Sequence, residues 1–147
     1  MGYTHYITYP NNVDEKEFIE KMRLLAKLVK ESPVPLRGGD GEGNPLTSDT
    51  CIWFNGDGED AHETFAVNWP IESRFPQFGK YFFCKTARKP YDLVVVGCLG
   101  VLAELDGVVV ESDGCAEEWE EGIEWASRVL ERPVKNPIAE SEAKSES

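Results

Sequence analysis

The residues best placed to do chemistry lie in a basic interval. Between Glu72 and Asp92 the 147-residue chain has no acidic side chain, but it has Arg74, Lys80, Lys85, Arg88 and Lys89. The interval carries +5 in a protein whose formal net charge is −12, which leaves −17 for the rest. A compact basic island in an acidic chain focuses attraction on a small anion and repels polyanions elsewhere. The island ends where a helix is expected to begin, and helix N-termini present free N–H groups and partial positive charge. Lys85, Thr86, Arg88, Lys89 and Tyr91 are therefore candidate ligand-binding residues for a phosphate or carboxylate. The plainer alternative is that these bases form ordinary salt bridges with the acidic surface.

A second chemistry is nucleophilic. The chain has two histidines, His5 and His62. His62 is able to activate the thiol of Cys84 if the two meet, with Glu63 or Asp92 orienting the imidazole. Catalytic roles for His62, Cys84 and Glu63 would make a small hydrolase or transferase. The alternative places His62 in a turn and Cys84 in the core. Metal chemistry finds less support. Cys51, Cys84, Cys98 and Cys115 lack zinc-knuckle spacing. Asp40, Glu42 and Asn44 alternate like calcium ligands, but Pro45 and Cys51 stand where that loop needs Gly and Glu. The Gly spacing of residues 38–43 matches neither phosphate-binding fingerprint. No metal or cofactor is expected, and the loop is read as solvated or as a lid. Tyr3, Tyr6, Trp53, Trp69 and Tyr91 offer either a stacking face for a base or sugar, or core packing.

The elements that must position these residues follow from periodicity. Residues 3–9 alternate as a strand, with Tyr3, His5, Ile7 and Tyr9 on one face. Asn12 with Glu15 has the spacing of a helix cap, and Phe18, Met22, Leu25 and Val29 repeat as an amphipathic helix over 13–31. Residues 33–50 form a long Pro- and Gly-rich loop. A strand at 50–54, an Asn55-Gly56 turn and the stretch 61–67 make a hairpin. Residues 68–80, with Trp69-Pro70 and Phe75-Pro76, read as irregular, and 81–86 as a short aromatic strand. The run 90–105 is ambiguous: Val94-Val95-Val96 favours a strand, whereas its length, Pro90 and Asp92 favour a buried helix. The helix is expected. A strand at 108–110, an Asp113-Gly114 turn and an amphipathic helix over 117–130 complete the pattern. Helices and strands without a βαβ rhythm predict a single α+β domain over 1–135, a short antiparallel sheet packed by two or three helices, followed by an acidic disordered tail over 136–147.

Several strings resemble a family of small proteins found in phages, bacteria and some fungi. They are Gly2-Tyr3-Thr4-His5-Tyr6, Phe54-Asn55-Gly56, His62-Glu63-Thr64-Phe65, the run from Phe83 through Cys84-Lys85-Thr86-Ala87-Arg88-Lys89-Pro90-Tyr91 to Asp92, Ser112-Asp113-Gly114, and Trp119. Ile7 departs from the Trp expected there. The resemblance covers about residues 2–130. It implies phage biology as one setting and brings no reaction with it.

Composition narrows the function classes. The net charge argues against general nucleic-acid binding and against electrostatic adhesion to anionic lipid. No apolar run has membrane-spanning length. The opening residues lack a basic-then-apolar leader, and Tyr6 occupies the Ser/Thr position of a myristoylation signal, so a cytoplasmic protein is expected. The leading expectation is a non-enzymatic protein holding a compact phosphate- or nucleotide-like anion at the island 74–89. The alternatives are an acidic phage-type inhibitor of a basic protein partner, and the Cys84–His62 enzyme.

Overall fold

The computed structural model describes residues 3–72 and 79–146. Arg74 and Phe75-Pro76 lie outside them. The fold is α+β, with four helices and two small antiparallel sheets among the described residues.

The alternation at the start of the chain makes β1 (Thr4–Tyr9), with His5, Ile7 and Tyr9 buried. Helix α1 (Glu15–Lys30) is capped by Asp14, which accepts the Glu17 N–H at 3.0 Å, so the cap falls two residues after the expected Asn12. Asp14 with Glu17 has the same i, i+3 spacing as Asn12 with Glu15, and it stands next to the first turn that buries Phe18. Short strands β2 (Leu36–Arg37) and β3 (Leu46–Thr47) flank a 3₁₀ turn at Gly39–Gly41. Strand β4 (Cys51–Gly56) and β5 (Phe65–Asn68) form the expected hairpin, in register from Cys51↔Asn68 to Phe54↔Phe65. β4 is the centre of this sheet, and β2, β3 and β5 each pair with it antiparallel.

Strand β6 (Lys80–Lys85), helix α2 (Asp92–Leu102), strand β7 (Val109–Ser112) and helix α3 (Ala116–Leu130) follow. β1 is the middle strand of the first sheet, antiparallel to both β6 and β7. Its register aligns Cys84, His5 and Ser112 in one cross-strand row.

The ambiguous valine run is helical. Val94, Val95 and Val96 are at most 1% exposed, and α2 packs against both α1 and α3. Three valines in a helix cost about 2 kcal/mol in propensity, while burying them contributes about 5 kcal/mol, so packing decides the conformation. The helices approach closely at Gly122, where an added Cβ would stand 2.7 Å from Val96 Cγ1 and 3.0 Å from Leu93 O.

The stretch read as a tail forms α4 (Pro137–Glu146). Asn136 Oδ1 accepts the Ile138 and Ala139 N–H groups, and its amide donates to Ala116 O at 3.0 Å. Ile138 is buried. Together with Glu142, whose carboxylate accepts the Ala116 N–H at 3.1 Å, these residues tie the segment to the start of α3. Among the described residues, no helix is long and apolar enough to cross a membrane.

Candidate functional site

The site begins with His5. Strand alternation turns it inward, where it is 1% exposed, and the sheet register sets Ser112 beside it. Its Nδ1 lies 2.7 Å from Ser112 Oγ and its Nε2 lies 2.6 Å from Asp92 Oδ1. The Tyr3 and Trp119 rings meet it edge-on, with centroids at 5.0 and 5.1 Å.

Proton positions are assigned by counting donors. Ser112 Oγ accepts the Trp119 Nε1–H at 3.1 Å and the Gly114 N–H at 2.9 Å. Both lone pairs are then engaged, so the serine hydroxyl donates its hydrogen to His5 Nδ1. Nε2 carries the imidazole hydrogen and donates to Asp92 Oδ1. Thr86 Oγ1, fully buried, donates to the same oxygen at 2.6 Å. A Ser–His–Asp set invites a nucleophilic reading, but the wiring opposes it: the serine is spent as a double acceptor, and every bond leads toward the carboxylate. The network holds Asp92 in place.

The chain between β6 and α2 makes the second half of the site. Thr86 N–H and Ala87 N–H both donate to Tyr3 O, at 3.1 and 3.3 Å. Ala87 and Arg88 then adopt left-handed backbone, with φ of 53° and 57°. That conformation costs an L-residue such as Ala87 about 1 kcal/mol. It turns Thr86 inward to Asp92 and sends Arg88 outward over the Tyr3 ring, 4.1 Å from its centroid. Arg88 also donates to Glu118 Oε2 at 2.9 and 3.1 Å. Its hydrogen bond holds the Glu118 carboxyl below the usual range, and the same bond pushes the guanidinium up. Burial pushes the Tyr3 phenol up to about 12, helped by the charges of Asp92 and Glu118, so it stays protonated. Gly114 admits that phenol: a Cβ there would fall 2.1 Å from the Tyr3 hydroxyl oxygen.

These residues open on a cleft of about 440 Å³ between the start of α2 and α3. Arg88, Lys89 and Asp92 stand on one side, Glu118 and Glu121 on the other, and Leu93, Val96, Gly122 and Val34 supply apolar lining. The ionisable lining sums to −1, two cations against three carboxylates. The Asp92 side chain is 19% exposed, and among the described residues both of its side-chain hydrogen bonds fall on Oδ1.

The basic island is therefore divided. Arg88 and Lys89 reach the cleft, while Lys80 and Lys85 lie at opposite ends of β6, roughly 17 Å apart along the strand. The Lys85 N–H donates to Glu63 Oε1 at 2.7 Å. Thr86 and Tyr91 are fully buried, the first spent on Asp92 and the second donating to Glu63 O. The expected free helix N-terminus is closed. The N–H groups of Asp92, Leu93 and Val94 donate to Lys89, Pro90 and Tyr91 carbonyls at 2.9, 3.4 and 3.0 Å.

The Cys84–His62 pair does not form. Cys84 is 1% exposed, and its thiol faces Glu63 O at 3.5 Å. Burial, reinforced by Glu63 and Asp92, pushes that thiol far up, which disfavours a thiolate. His62 is exposed, and Asn55 holds its backbone, with the His62 N–H and O each at 2.9 Å from the Asn55 amide. Among the described residues no hydrogen bond joins His62 to Cys84, and no group of three or more His, Cys, Asp or Glu could hold a metal ion.

The residues that sequence reasoning missed are His5 as a hub, Ser112 as its hydrogen-bond donor, and Glu118 and Glu121 as the far wall. The available signal was His5 on the inward face of β1, because a buried imidazole requires partners. Comparison with known proteins adds no assignment: no family model, curated protein or solved structure matches the chain.

Proposed function

We propose that the protein binds a compact ligand carrying one acidic group together with hydroxyl or amine donors, in the cleft between α2 and α3. The observation that carries this reading is the placement of Arg88, Lys89 and Asp92 on one wall, with Asp92 oriented by buried partners. The two cations receive the acid, and the outward Asp92 oxygen receives a donor. Preorganisation supports recognition because a carboxylate already fixed loses little freedom on binding. Glu118 holds Arg88 in the free protein through an exposed ion pair, which is weak enough for a ligand's acid to replace it.

Thermal unfolding against phosphate, sugar phosphates, nucleotides and dicarboxylates tests the reading. A ligand at one hundred times its Kd adds about 2.7 kcal/mol, several degrees in Tm for a domain of this size. The shift is expected to vanish in Arg88→Ala and shrink in Lys89→Ala. A shift unchanged in both variants, or none with any ligand, defeats it.

A second reading has its own support. Glu117, Glu120, Glu121 and Glu124 are all exposed on α3, an acidic face suited to a basic protein partner. Such a complex would weaken steeply with salt, whereas ligand binding in the cleft would weaken less.

A further inference from the structure

We infer that the cleft takes a ribonucleoside 5′-monophosphate, an assignment that rests on the cleft reading above and specifies its ligand. Three observations converge on that class. The first is the asymmetry of Asp92. Its Oδ1 accepts from two donors that are almost wholly buried, His5 Nε2–H and the Thr86 hydroxyl. Asp92 is nonetheless one of the residues lining the cleft, its side chain is 19% exposed, and none of the hydrogen bonds among the described residues uses Oδ2. A fixed carboxylate oxygen facing a cleft accepts neutral O–H donors, and a ribose supplies a vicinal pair. Carboxylate recognition of a ribose hydroxyl recurs in nucleotide sites for this reason.

The second observation is charge. Arg88 and Lys89 match a phosphate dianion once Glu118 turns away from Arg88. A triphosphate brings further negative charge against Glu118 and Glu121, inside a protein of net charge −12. The third is shape. Half-buried Val34 and Leu93 give the cleft an apolar wall against which a base can lie. The volume of about 440 Å³ falls within the roughly 300–1,000 Å³ of small-ligand pockets. A bare phosphate would leave both that wall and the Asp92 oxygen unused.

Isothermal titration of the full chain with matched ligands tests the inference. The set is adenosine 5′-monophosphate, its 2′-deoxy analogue, ribose 5-phosphate, inorganic phosphate, a dicarboxylate and adenosine 5′-triphosphate. The ribonucleotide is expected to bind at least tenfold more tightly than the deoxynucleotide and more tightly than every other member. In Asp92→Asn, which preserves an oxygen for His5 and Thr86, the ribo-to-deoxy ratio is expected to fall to about one. Lys89→Ala provides a variant that touches no internal hydrogen bond, and it is expected to weaken both nucleotides while leaving their ratio unchanged. Equal binding of the two nucleotides, or tighter binding of the triphosphate, overturns the ribonucleoside monophosphate assignment while leaving the cleft reading intact. Binding of phosphate or the dicarboxylate alone does the same. No binding by any member overturns both.

Discussion

Asp92 is the residue at which the fold and the site depend on each other, and two substitutions separate its roles. Asp92→Ala removes the acceptor of two donors, the His5 ring N–H and the Thr86 hydroxyl, each 2.6 Å away. His5 is 1% and Thr86 0% exposed, so both donors depend on that oxygen for a partner. An orphaned buried donor costs about 1–3 kcal/mol. Two of them, with the lost helix-dipole partner at about 0.5 kcal/mol, give roughly 4 kcal/mol. Asp92→Asn keeps an amide oxygen where Oδ1 stands. It loses only the charge assistance of the two bonds and the dipole interaction, about 1–1.5 kcal/mol. At about 3 °C per kcal/mol for a domain of this length, Tm falls by roughly 12 °C for the alanine and roughly 4 °C for the asparagine. Urea unfolding at neutral pH, followed by circular dichroism and tryptophan fluorescence, supplies the free energies. Alanine and asparagine variants of equal stability would refute the argument, because the orphaned donors would then contribute nothing.

Other consequences follow from the same contacts. Gly122→Ala is expected to cost about 1–3 kcal/mol in a urea titration, because Leu93 O and Val96 Cβ, 3.0 and 2.9 Å from the new methyl, yield only if α2 and α3 separate. Thiol titration with a disulfide reagent is expected to show Cys115 reacting first and Cys51 more slowly, with Cys84 and Cys98 reacting only on unfolding, since burial pushes both of those thiols far up; a fast Cys84 would contradict its placement. Glu104 gives a pH signature. Burial raises its carboxyl, but the hydrogen bonds from Arg132 and Lys21 outweigh that and hold it below the usual range. A folded-state value below the unfolded one stabilises the protein above the ordinary carboxylate range, and that stability is lost as pH falls through the folded value. Glu104→Gln is therefore expected to cost about 1 kcal/mol at neutral pH and to converge with the parent in acid, as measured by Tm against pH.

The parts of the fold legible in the sequence are those set by local period. The alternation of Tyr3, His5, Ile7 and Tyr9 and the helical repeat of Phe18, Met22, Leu25 and Val29 appear as read. The 51–68 hairpin forms too, but Asn55-Gly56, expected as its turn, are the last residues of β4 and pair with β2, and the chain reverses over 57–64, where the buried Asn55 side chain holds the His62 backbone. Segment 136–146 was opaque because its ordering depends on tertiary contacts, with Asn136 and Glu142 both reaching the backbone of Ala116 and Ile138 buried. The candidate site was half legible. Arg88 and Lys89 stood out by charge, and both line the cleft. Their neighbours Thr86 and Tyr91 did not reveal by type that they point inward, because the left-handed turn at Ala87 and Arg88 sets that direction and neither residue favours such backbone. His5, Asp92 and Ser112 are separated by 87 and 107 residues, and only the sheet register and the start of α2 bring them together.

Ligand binding in the cleft between α2 and α3, as proposed, has a direct test. Backbone amide NMR during titration with adenosine 5′-monophosphate tests it most directly, because it reports the place of binding as well as its strength. Saturable shifts are expected at Tyr3, residues 87–93 and residues 118–122, lost together in Arg88→Ala. Shifts centred elsewhere, such as on the groove beside Lys27, Lys30 and Ser48, would contradict it.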